Sequence, residues 1–127
     1  MVDDTKVAGT ITEVSTLTDL KALLEAHEHL VLFFLGGGCP HSVNYLPIIQ
    51  KVVNSFSGKN VHFAKVTWPH VGGDASDIPQ EMHDLIDQYQ ICAVPTTMFF
   101  KGKNVQSGRI GMPLEEQLSL SINELMA

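Results

Sequence analysis

The chain has 127 residues, 44% of them hydrophobic and 17% charged, which gives room for one core and is too apolar for intrinsic disorder. Eight basic and fourteen acidic side chains leave a formal net charge of −6. That charge excludes the basic footprint of a nucleic-acid binder and argues against docking on anionic lipid. The longest apolar run, Leu30 to Leu35, is six residues, where about 20 are needed to cross a bilayer. The opening Met1-Val2-Asp3-Asp4-Thr5-Lys6 lacks a basic stretch followed by an apolar one. Two cysteines, Cys39 and Cys92, are too few for a disulfide scaffold. These features predict a cytoplasmic protein without membrane contact, with residues 1–10 as an extension and a single domain over 11–127.

In chain order, Ile11 to Val14 reads as a short strand, and Thr16 as the N-cap of a helix carrying Leu17, Leu20 and Leu24. His27 and His29 bracket Glu28 in what reads as a polar turn. Leu30 to Leu35 has no polar position and is rich in β-formers, so a strand covered on both faces is expected. Gly36, Gly37 and Gly38 lead into Cys39-Pro40-His41-Ser42, which opens a helix with Leu46, Ile49, Val53 and Phe56 at helical spacing and Pro47 inside it. Ser57-Gly58 ends that helix. Val61 to Thr67 alternates as a strand: Val61, Phe63 and the stem of Lys65 on one face, His62, Ala64 and Val66 on the other.

Residues 68–79 form a loop with Gly72-Gly73 and two prolines. Gln80 to Gln90 is an amphipathic helix on Met82, Leu85, Ile86 and Tyr89. Val94 to Phe100 is a strand entered through Pro95, returned by Lys101-Gly102-Lys103-Asn104 into Val105 to Ile110. Leu114, Leu118, Ile122 and Leu125 mark a terminal helix. This order, β-α-β-α-β-α-β-β-α, predicts an α/β fold with a central mixed sheet and helices on both faces.

Cys39 follows a buried strand and begins a helix. A helix N-terminus offers unpaired N–H groups and a partial positive charge of roughly +0.5, which stabilise the nucleophilic thiolate. Pro40 suits the first turn, His41 adds charge when protonated, and Ser42 can donate its O–H to the sulfur. The plainer reading is a small buried cysteine.

Taken together, these motifs resemble the thioredoxin family from about Ile11 to Met126. Cys39-Pro40-His41-Ser42 sits where that family has its redox Cys-x-x-Cys, and Pro47 matches the proline inside the following helix. Val94-Pro95-Thr96 matches the cis-proline signature, and Lys65, Phe99-Phe100-Lys101-Gly102 and Gly111 match a strand lysine, a hairpin motif and a late glycine. Three positions depart from the pattern: Ser42 replaces the second cysteine, Phe33 stands where a buried acid is implied, and Gly38 replaces the tryptophan before the nucleophile. Relative to a minimal thioredoxin, residues 68–79 form an insertion.

The resemblance implies Cys39 as nucleophile, supported by His41 and Ser42, with Pro40, Val94, Pro95 and Thr96 shaping a groove for protein thiols or disulfides. With one redox cysteine, a mixed disulfide forms and is released by glutathione or by a second substrate thiol, or is itself the useful state, as in thiol-retention chaperones. Two alternatives stand beside this one. The fold could serve as a non-catalytic binding module, or Ser42 could be an engineered replacement in a Cys-Pro-His-Cys oxidoreductase. Cys92 is a candidate second thiol, though a packing role is preferred, since bridging needs Cα atoms within about 7 Å.

Val66 to Phe100 contains no Lys or Arg and carries Asp74, Asp77, Glu81, Asp84 and Asp87. His70 and His83 lie in the same stretch, but their spacing follows no established metal motif, so no metal is expected. The stretch reads as a solvated acidic face that would select a basic protein partner. No phosphate loop, Ser-His-Asp set or paired catalytic carboxylate is apparent, so no organic cofactor is expected.

Overall fold

The computed structural model describes residues 11–36, 40–68, 80–91 and 94–127. Among these, five strands and four helices follow one another as β1 (Thr12–Glu13), α1 (Leu17–Ala26), β2 (His29–Gly36), α2 (Pro40–Ser55), β3 (His62–Trp68), α3 (Gln80–Tyr89), β4 (Thr96–Lys101), β5 (Asn104–Ile110) and α4 (Glu115–Met126). The strands form one mixed sheet in the order β1-β3-β2-β4-β5. β3 runs parallel to β1 and β2, whereas β4 is antiparallel to β2 and β5.

β2 is the spine because its sequence allows nothing else. Every residue from His29 to Gly36 is buried, and its alternating side chains feed two cores. Leu30, Leu32 and Phe34 join Leu20 and Leu24 of α1, Leu85 of α3 and Phe100 of β4. Val31, Phe33 and Leu35 join Tyr45, Ile49, Val52 and Val53 of α2 and Leu118, Ile122 and Leu125 of α4. Helices thus cover both faces. β3 splits as its alternation predicts, Phe63 to the second core and Ala64 and Val66 to the first.

Local chemistry sets the element ends. Thr16 Oγ1 accepts the Asp19 N–H at 3.0 Å as the N-cap of α1. The N–H of Leu114 donates to the Gln117 side-chain oxygen at 2.9 Å before α4. The β4–β5 turn needs positive φ at two consecutive residues, Gly102 at +58° and Lys103 at +77°. This is the demand of a two-residue primed turn.

Three expectations change. The α2 core stripe comprises Tyr45, Ile49, Val52 and Val53, with Phe56 buried just past the helix end, and Leu46 is 40% exposed. Leu46 and Tyr45 are adjacent, so turning the aromatic ring inward carries Leu46 toward solvent. Leu114 is an exposed N-cap rather than a core residue of α4. The expected polar turn at 27–29 also differs. His29 belongs to β2 and is buried, with Nδ1 2.9 Å from the Asn60 carbonyl oxygen. That hydrogen bond makes its burial tolerable.

Candidate functional site

α2 opens at Pro40, the residue after Cys39, and its first turn holds no acidic side chain. Nothing there opposes the positive end of the helix dipole. Pro40 and His41 are exposed, while Ser42 is 2% exposed. Ser42 Oγ accepts the Gly36 N–H at 2.9 Å, tying the end of β2 to the start of α2. A hydroxyl that accepts one hydrogen bond can also donate its own proton.

The second wall is the start of β4. The Val94–Pro95 peptide bond is cis, Pro95 and Thr96 are buried, and Val94 is half-buried. The Pro95 carbonyl accepts the Gly111 N–H at 2.8 Å. Gly111 has φ +96°, so the late glycine expected from sequence holds the proline segment through its backbone. Thr96 lies in register with Phe34 of β2 and Ile110 of β5. β2 therefore connects the two walls, with Gly36 at one and Phe34 at the other. Cys39, Cys92 and residues 69–79 of the expected insertion lie outside the described residues.

Sequence reasoning missed two features. The first is a buried hydroxyl pair: Tyr45 Oη and Thr97 Oγ1 lie 2.7 Å apart, linking α2 to β4. Burial pushes the Tyr45 hydroxyl up to about 12, opposed by the Thr97 hydrogen bond and the charge of Arg109. Phe33 meets the Tyr45 ring edge-on, with centroids 5.9 Å apart, and stacks on Phe63. A Tyr among aliphatic residues carries no hint of its partner; only the antiparallel registration of Phe33 with Thr97 brings the hydroxyls together.

The second is a cleft of about 200 Å³ beside Ser42, lined by Leu35, Val43, Leu46, Lys65 and Thr67. Lys65 meets Glu13 of β1 at 3.8 Å, and Val43 is 52% exposed. The lining joins apolar walls to one cation and two hydroxyls. Among the described residues no three His, Cys, Asp or Glu side chains gather as a metal set. No helix among them is long and apolar enough to cross a membrane.

The chain belongs to the thioredoxin-like family. It is 32% identical over 94 residues to a thioredoxin-like protein of Fusarium culmorum, covering 72% of this chain and 69% of that one. No protein-family model matches. Solved structures agree in fold. Malassezia sympodialis thioredoxin (Mala s 13) superposes with a TM-score of 0.75 at 21% identity, covering 94% of this chain and 93% of that one. Spinach chloroplast thioredoxin f in its short form gives 0.75 at 21%, over 95% and 97%. Oxidised mitochondrial thioredoxin 3 of Saccharomyces cerevisiae gives 0.72 at 21%, over 90% and 94%. Family membership supports a thiol–disulfide redox role in general terms.

Proposed function

We propose that this is a monothiol thioredoxin-like protein that forms mixed disulfides with protein thiols and disulfides through Cys39. The Cys39 thiolate attacks one sulfur of a substrate disulfide. That S–S bond breaks, the second sulfur leaves as a thiolate and takes a proton from water, and Cys39 stays joined to the substrate. Glutathione is the co-substrate whose thiolate then attacks the mixed disulfide and frees one partner. A cytoplasmic setting, where glutathione keeps thiols reduced, suits this chemistry.

The observation that carries the reading is the commitment of Ser42. It stands where the family pattern has the resolving thiol, is buried, and accepts the Gly36 N–H. A hydroxyl built into the fold there cannot displace the adduct, so release falls to an external thiol. The open first turn of α2 supports an acidic Cys39, and Val94, Pro95 and Thr96 would supply the groove. His41 would add charge at the exposed side.

The test is the pH dependence of Cys39 alkylation in a Cys92→Ser background. The expected midpoint lies well below the free-thiol value of about 8.5. Ser42→Cys in the same background is expected to release a glutathione adduct that persists without it. A midpoint at or above the free-thiol value would sink the exchange reading. It would favour the second reading, a docking module that uses the apolar rim of Val43 and Leu46.

A further inference from the structure

Three histidines gather at the end of the sheet where α1 stops and β3 begins. His27 caps α1, its N–H donating to the Leu23 carbonyl at 3.0 Å. Its ring lies face to face with that of His62, the first residue of β3, with centroids 4.0 Å apart and planes within 4°. His62 Nε2 in turn lies 2.8 Å from Thr12 Oγ1 on β1. The third, His29, turns its ring to the Asn60 carbonyl instead.

Val14, just after β1, is wholly buried in the first core and Ile11, just before it, packs against the second, but the sheet pairing of β1 is short. β1 is two residues long and, among the described residues, pairs only with β3, through Thr12 against Ala64 and Glu13 against Lys65. The Val14 N–H extends this by donating to the Lys65 carbonyl at 2.8 Å. The His62 ring therefore sits between the cap of α1 and the side chain of the edge strand. Two neutral imidazoles, or one neutral and one charged, stack without penalty. Two imidazolium rings at this distance repel, and half-burial weakens the screening that water would give.

Among the described residues no carboxylate lies within ion-pair distance of either ring. Glu13 pairs with Lys65, while Glu25, Glu28 and Lys59, the charged residues nearest in the chain, are exposed. Burial, and after it the neighbouring His27, hold the His62 imidazole below its ordinary range. The Thr12 hydrogen bond does not decide the outcome, because a hydroxyl can accept from a charged ring as well as donate to a neutral one.

We propose that the His27–His62 stack is an acid-sensitive latch on β1: it stays closed while at most one ring is charged, and a second proton drives the rings apart and loosens β1 from β3. The latch is independent of the Cys39 chemistry, lying at the opposite end of β2 from Gly36 and Ser42.

Amide hydrogen exchange on the full chain tests it, with rates corrected for intrinsic pH dependence. Between about pH 7.5 and about pH 5, the interval in which histidine titrates, the Val14 amide should lose protection while the Leu32 amide in β2 keeps its own. His27→Gln and His62→Gln should each abolish that selective loss. If Val14 follows Leu32 throughout, or both variants show the same loss, the latch does not exist. Ring-proton titration of the unmodified chain and of His27→Gln gives a second measurement. The His62 ring should titrate at a higher midpoint in His27→Gln than in the unmodified chain, and an unchanged midpoint would overturn the proposal.

Discussion

Tyr45 and Thr97 show what one buried hydroxyl demands of another. Each is wholly buried, so either without the other leaves a polar atom in an apolar core. Tyr45→Phe strands Thr97 Oγ1 and should destabilise the fold by about 1–3 kcal/mol. The double variant with Thr97→Val should cost less than the two single changes added together, which chemical denaturation of all four proteins would reveal. Phe33 belongs to the same cluster. Its ring packs on Tyr45 and Phe63 at the position where the family pattern implies an acid. Sequence alone identified the departure at Phe33. It could not show that the nearest buried polarity lies instead in a Tyr–Thr pair, because that pairing spans 52 residues of chain.

Among the elements, the β4–β5 hairpin carries a local strain legible in both sequence and geometry. Gly102 accepts its positive φ freely, whereas Lys103 adopts +77° against the preference of a residue with a Cβ. Lys103→Gly should therefore stabilise the protein by about 1 kcal/mol, an increase in melting temperature being the readout. The turn is also tied to the rest of the fold, since the Gly102 N–H donates to the Glu28 carbonyl at 2.8 Å. Helix α2 shows where sequence periodicity falls short. Leu46 and Tyr45 are both apolar enough for a core stripe, and hydropathy slightly favours the leucine. The structure buries the tyrosine because β4 offers it a hydroxyl, and leaves Leu46 on the rim of the cleft beside Ser42.

At the scale of the whole molecule, pH bears on stability from two sides. The His62 imidazole is held low in the folded state, so its contribution is present above the ordinary histidine value and is lost as pH falls through the folded one. The Tyr45 hydroxyl is pushed the other way, from 10.0 to about 12. Its contribution is full below the unfolded value and disappears as pH rises through that interval. Urea unfolding across the pH range should accordingly show a plateau around neutrality. A fall on the acid side should be weakened by His62→Gln, and a fall above about pH 10 weakened by Tyr45→Phe.

The order of elements, the buried central strand, the two-faced cover of helices and the segments bracketing Cys39 all follow from the sequence, because each is written in local periodicity and punctuation. Leu30 to Leu35 must be a covered strand, and Pro40 and Gly102 must start a helix and turn a hairpin. What only the tertiary structure decided are the contacts between residues far apart in the chain. The Gly36 amide fixes Ser42, Thr97 admits Tyr45 to the core, and β1, α1 and β3 converge to stack His27 on His62. Those pairings depend on strand register and helix placement, which the packing of both cores sets together and no local stretch of sequence encodes alone.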